Sequence, residues 1–545
     1  MSSCLAHRTC HHRKHTPNHS PTVQPNPAEE SAASAAPSPR PRLVRVLHFL
    51  GQPAQDYRVG VWVFLRLLGL CHLVAFASFW LQMDGLIGDN GILPAGQWLE
   101  AVAKQLGTQR FWQAPTLCWM DLSQGFRHAL CLLGIGFSVA CIGGLAQRFV
   151  LGALWLLYLS LSMVGGVFFG YQWDALLLEV TLFALFAAPS FWKPARPQNT
   201  PPPSRAALGA LWWLLLRLML LSGAVKLLSK DKLWSDLSAL TVHFQTQPLP
   251  MPLAWWLHQL PTAALKASCL AMFVIELGAP FLILFGRTGR RGASLGFCAL
   301  MALVAFSGNY CFFNLLVFSL SLCLLDDKVW EKLRLTPSPG VTSPTPPPSE
   351  GAAPTHLPLR SSLAGGLLVI FLWCSAVQTA VPLFQWREVP SWINAPMRWI
   401  GPFRSINSYG LFAVMTSTRP EIILEGSEDG RTWKEYSFKW KTGSTARPLP
   451  VVAPFQPRLD WQMWFASLGE LKQNPWFSNF LVRLLQGEPS VTELLENNPF
   501  PEKPPRYLRA ALFQYKFTNQ ETRKRTGEIW DRDYRGDYCP PISLK

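Results

Sequence analysis

The chain has 545 residues, of which 49% are hydrophobic and 15% charged. Soluble proteins carry about 25% charged residues, so much of this chain faces lipid or a very large core, and a disordered or fibrous protein is excluded. The net charge of +16 comes in short clusters between apolar runs. No single basic face with interleaved aromatics forms, which points to a multi-spanning membrane protein and away from nucleic acid.

Residues 1–45 are rich in Ser, Pro and His and read as a disordered basic tail. Cys4, Cys10, His11, His12 and His15 lie there, but nothing apolar nearby would fix ligand geometry, so no metal site is assigned. A span needs roughly 20 apolar residues. Runs of that kind fall at about 59–82, 128–146, 149–169, 173–190, 206–228 and 268–286. The run 293–326 is too long for one span and breaks at Gly308-Asn309-Tyr310. The membrane domain is therefore expected over 59–326. Its segments 83–127 and 229–267, each with several Trp, are expected to be exposed outside the bilayer. A Pro/Ser-rich linker over 327–360 leads to a final transmembrane helix at 361–385.

Arg40, Arg42, Arg45 and Arg58 precede the first span, so the N-terminus is expected in the cytoplasm. Arg148, Lys193, Arg196, Arg205, Arg287, Arg290 and Arg291 then fall on the same side. If 293–326 crosses twice, Lys328, Lys332 and Arg334 join them, and the C-terminal domain lies on the opposite side.

Inside the spans, a charge costs at least about 2.5–3.5 kcal/mol. The intramembrane polar candidates are Asp174, Glu179, Arg217, Lys226 and Glu276. Arg217 and Glu276 have matched depth on consecutive spans and are expected to pair. Lys226 points to the opposite face and snorkels, and Asp174 lies near the outer boundary. Such a set either lines a polar cavity or holds helices in register.

From residue 386 the charge rises and alternation appears, which predicts a soluble C-terminal domain over 386–545. Glu421–Glu425 reads as a strand, Glu428-Asp429-Gly430 as a turn, and Tyr436, Phe438 and Trp440 as the returning strand of a hairpin. Phe513, Tyr515 and Phe517 alternate likewise. Helices are expected at about 459–470, 475–487 and 490–497, the last opened by a Ser490–Glu493 capping box. The fold class is thus a multi-pass α-helical membrane domain followed by a soluble β-rich α+β domain. On the first of these helices Trp461, Trp464 and Phe465 share a face. That stripe is core, a bilayer patch or a client-binding surface. No nucleophile elbow, P-loop, dinucleotide fingerprint or zincin motif occurs, and no catalytic residue, cofactor or metal is assigned.

Several segments carry a resemblance. Asn407–Phe412, Arg419–Ser427 and Pro454–Ala466 resemble the C-terminal domain of the lipase maturation factors. In the membrane half, Gln172–Glu179, Arg217–Met219, Ser222–Leu227, Thr246–Pro250 and Gly308–Leu315 agree with that family. Phe455 stands where the family has His, and Gln245 where it has Glu. The membrane half is also distantly similar to the helical domain of vitamin K-dependent carboxylase relatives. The family resemblance implies a multi-pass membrane protein that helps client proteins, dimeric lipases among them, to fold and assemble. It implies the endoplasmic reticulum membrane in a eukaryote, or the inner membrane in a bacterium, with the C-terminal domain lumenal or periplasmic. It carries over no catalytic residue. The alternative is a membrane enzyme acting on a lipid-linked or membrane-embedded substrate through Glu179, Arg217 and Glu276.

Overall fold

A computed structural model describes residues 49–194, 196–333 and 359–544. The expected basic tail and most of the Pro/Ser-rich linker lie outside the described residues. The membrane domain is built from α1 Arg58–Trp80, α2 Gln124–Gly143, α3 Gln147–Val164, α4 Gln172–Ala187, α5 Arg205–Leu228, α6 Thr262–Leu282, α7 Gly286–Ser307, α8 Phe313–Ser321 and α9 Leu359–Leu383. Among the described residues, seven helices are long and apolar enough to cross a membrane: α1, α2, α3, α5, α6, α7 and α9. Ser123 caps α2 by accepting from the Phe126 N–H, and Ser204 caps α5 by accepting from Ala207. The shorter α4 is apolar on almost every side and is buried accordingly.

Arginines from several connections meet at one end of this bundle. Arg58 donates to the Gln198 carbonyl and Arg148 to that of Ala188. Arg287 pairs with Asp56, Arg290 donates to the Tyr57 hydroxyl, and Arg291 holds Asp326. The 293–326 run goes out from this basic end and returns to it. α7 stops at Ser307, the chain turns through extended Gly308, and α8 runs back, with Ser294 bonded to the Ser321 carbonyl. A short helix, Asp327–Lys332, then buries Trp330 against Val59 and Leu322, so the first residues of the expected linker are folded chain.

The C-terminal domain carries an antiparallel sheet in the order β2-β1-β5-β6, with β1 Arg419–Ser427, β2 Lys434–Glu435, β5 Tyr507–Phe517 and β6 Trp530–Ile542. A second sheet pairs β3 Ser437–Phe438 with β4 Leu495–Asn497. The expected hairpin is therefore split: Glu435 returns beside Glu425, but Phe438 crosses to pair with Leu495. Helices α10 Arg458–Ser467 and α11 Pro475–Leu485 fall where the sequence places them. The third is only Pro489–Thr492 and has no side-chain cap. There the Ser490 carbonyl lies against Gly85, where a Cβ would come within 2.2 Å of it, and β4 follows at once.

The domain is seated on the far end of the bundle from the arginines. Ile422 and Leu424 on one face of β1 join the main core with α10. Ile423, Tyr515 and Trp530 pack on Phe244, Trp255 and Leu265 of the 229–267 segment. The domain thus covers much of that segment, whose last residues, 262–267, open α6.

The Gly308 turn is the tightest point of this seat. Asn309 donates to the Leu249 and Pro450 carbonyls and accepts from the Val452 and Ala453 amides. A Cβ on Gly308 would lie 2.0 Å from the Gln247 side-chain oxygen and 2.6 Å from the Tyr310 ring. Gly308→Ala should therefore destabilise the protein by about 1–3 kcal/mol. Gly136→Ala, on a helix face with nothing within 4 Å of the new methyl, should be neutral or slightly stabilising. Thermal unfolding of both variants in one detergent checks the contrast.

Candidate functional site

Each acidic candidate in the spans meets a cation, and two of the three pairs also reach into the C-terminal domain. Asp174, in the first turn of α4, is buried rather than near water. The domain covers it. Arg458, at the start of α10, donates to both Asp174 oxygens at 3.0 and 3.1 Å. It also donates to the Phe168 carbonyl and lies 3.7 Å from the centre of the Phe169 ring. Tyr158 donates to the same carboxylate. Burial works against the Arg458 charge, but the Asp174 carboxylate together with Tyr158 and Tyr171 outweighs it and holds the guanidinium above its ordinary pKa.

One and a half turns further along α4, Glu179 pairs with Arg217 of α5. Its other oxygen accepts from the Asn407 N–H at 3.1 Å and the Tyr409 hydroxyl at 2.5 Å. Arg217 in turn donates to the Asn407 carbonyl at 2.6 Å. The expected pair of Arg217 with Glu276 does not form, because α4 supplies an acid nearer to Arg217. Glu276 instead accepts both its bonds from Lys226, at 2.8 and 2.6 Å. α6 opens into a π-turn over Val274–Gly278 at this residue, and Lys226 turns inward to it instead of snorkelling.

A third cluster lies wholly beyond the spans. Arg419 of β1 donates to the carbonyls of Gln245, Gln247 and Pro248, and to Glu421 at 2.7 Å. Glu421 also holds Lys441 at 2.9 Å. Sequence reasoning singled out neither Arg419 nor Arg458. Both enter the sequence reading only within the segments Arg419–Ser427 and Pro454–Ala466, and a linear reading does not show that either is buried. Among the described residues, no three His, Cys, Asp or Glu side chains converge as metal ligands.

The Trp461–Trp464–Phe465 stripe divides. Trp461 is buried edge-on against Trp173, with ring centres 4.7 Å apart. Trp464 is buried and donates to the Thr246 carbonyl at 3.1 Å. Phe465 is 44% exposed. Together they line a cleft of about 380 Å³ between the two halves, with Tyr171, Tyr310 and Phe412 on other walls. Val414, Phe465 and Leu468 form an exposed apolar rim. The two large Trp are thus interdomain core, and only the edge of the stripe reaches solvent.

A multi-pass helical membrane protein with an α+β domain clamped on one end is the class this geometry defines. Residues 59–332 match the lipase maturation factor transmembrane domain, and residues 405–540 the lipase maturation factor C-terminal domain. The chain is 33% identical to lipase maturation factor 2 of Rattus norvegicus, covering 89% of this chain and 83% of that one. It is 32% identical to lipase maturation factor 1 of Bos taurus, covering 90% and 91%. It is 31% identical to lipase maturation factor 1 of Mus musculus, covering 94% and 92%. The chain belongs to the lipase maturation factor family. No solved structure matches it.

Removing one partner of a buried pair leaves the other charge without compensation, at about 3–5 kcal/mol. Asp174→Leu should therefore unfold the protein or sharply lower its midpoint. Asp174→Leu combined with Arg458→Met should recover much of that loss. Thermal unfolding of the two variants decides it, and equal damage in both would mean the pair is not what holds the domain.

Proposed function

We propose that this chain is a membrane-integral maturation factor that assists the folding and assembly of secreted lipases. It sits in the endoplasmic reticulum membrane, with the C-terminal domain in the lumen. The orientation follows from the arginine-rich end of the bundle, which the positive-inside rule assigns to the cytoplasm, and from the domain's place at the other end. The relatives' names supply the client class. The observation that carries the reading is the aromatic cleft with its exposed rim of Val414, Phe465 and Leu468. It offers rigid aromatic walls to an apolar side chain that an unfinished client has not yet buried.

The enzyme alternative needs a reachable acid in the spans. Glu276, which lines a cavity, is closed onto Lys226, and Glu179 and Arg217 are fully buried, each already bonded to the other and to the Asn407 segment. That disfavours chemistry at this pair and suits a clamp.

Phe465→Glu combined with Val414→Ser should lower the yield of active secreted lipase several-fold in cells that depend on this factor. Membrane level and unfolding temperature should stay unchanged, because both residues are exposed. Trp461→Ala should lower all three, since it empties buried interdomain space at about 3–5 kcal/mol. Normal lipase output from the rim variant would remove the cleft from the contact surface.

A further inference from the structure

We propose that a second, separate site lies where α5, α6 and α7 meet the Leu240–Thr246 helix of the 229–267 segment: a cavity that takes the apolar carbons next to the polar group of an uncharged bilayer lipid, with the lipid's hydroxyl or ester carbonyl set against Tyr310 and His243. The cavity measures about 210 Å³. An apolar cavity of about 150 Å³ already holds a benzene ring. Most of the wall is apolar, including Leu218, Met219, Met272, Leu300 and Met301. Ser268 of α6 and Leu303 of α7 also line it, and both are exposed on the outer surface of spanning helices. The entrance therefore opens on the outward face of two spanning helices, near their outer ends and within reach of bilayer lipid.

The polar end is one corner. His243 and Tyr310 approach there at 3.5 Å, too long for a good hydrogen bond. The Tyr310 hydroxyl donates to the Gln247 side chain at 3.0 Å, which leaves its oxygen able to accept. A lipid hydroxyl would donate to that oxygen, and an ester carbonyl would accept from the imidazole. Lys226 and Glu276 line the same cavity as a closed pair with no net charge. Burial, and then the Lys226 charge, lowers the His243 pKa to about 4, so at neutral pH the corner is uncharged. A carboxylate or phosphate head would sit beside Glu276 and, among the described residues that line the cavity, meet only the Lys226 already paired with it. The π-turn at Glu276 widens α6 where the cavity lies, and such turns recur at functional sites.

The test uses the full chain in nanodiscs with three photoactivatable probes: a monoacylglycerol, a sterol and a free fatty acid. Labelled peptides are mapped by mass spectrometry. The monoacylglycerol or the sterol should label the 268–276 or 300–307 stretch at least five-fold more than the fatty acid. The first of them would identify a chain in the cavity, the second a ring. Leu303→Trp, at the exposed entrance, should cut that labelling at least five-fold without moving the unfolding temperature. Should that variant not fold, competition by excess unlabelled monoacylglycerol or sterol on the unaltered protein replaces it and should remove the label. Labelling spread evenly over the lipid-facing helices, unaffected by Leu303→Trp or by competitor, overturns the site. Preference for the fatty acid overturns the uncharged head.

Discussion

Two carboxylates on one buried helix govern how this molecule is assembled. Asp174 and Glu179 sit on α4, which has no water-facing side to carry a charge. An uncompensated carboxylate there costs several kcal/mol. One answer comes from the neighbouring helix, as Arg217. The other comes from Arg458, in a domain that begins only after the last membrane helix. The Asn407–Tyr409 segment completes the coordination of Glu179. The membrane half is therefore electrostatically unfinished until residues 405–460 have docked. The two halves are separate in composition, but neither buries its polar groups alone.

Much of this was legible in the chain. Spans announce themselves by length and apolarity, and charges inside them stand out because they are costly. The strand around Tyr515 follows from alternation and that around Ile422 from a short apolar run before a turn, and α10 falls in a stretch read as helix. What was not legible is pairing. Arg217 was matched to Glu276 by depth, because depth is all that a linear reading supplies. Which helix lies beside α5 at that depth depends on packing, and a π-turn in α6 has no compositional signal. Arg458 and Arg419 escaped for the opposite reason. A linear reading gives no sign that either arginine will be fully buried, and the groups that hold them are far off in the chain, 284 residues for Asp174 and Arg458 and 171–174 residues for Arg419 and the carbonyls of Gln245, Gln247 and Pro248. The stripe on α10 was readable as a stripe, but only the position of Trp173 decides that Trp461 is core while Phe465 meets solvent.

The turn between α7 and α8 shows why the seat lies where it does. A reversal between the spanning α7 and the short α8 frees backbone groups that lipid cannot satisfy, so protein must meet them. Here Met251 and the Gln247 side chain donate to the Ser307 carbonyl and the Asn309 N–H donates to the Leu249 carbonyl, while the Asn309 side chain meets the backbone of 450–453. The next residue, Tyr310, stands with Leu411 and Phe412 between the interdomain cleft and the intramembrane cavity, lining both. Cys311 and Phe412 hold positive φ angles of 55° and 56°, a conformation that costs a non-glycine residue of order 1–3 kcal/mol and persists only where the surroundings over-determine it. The surroundings here are the docked domain and the helix reversal together. One short stretch therefore ends a helix, anchors the domain and forms the partition between two cavities.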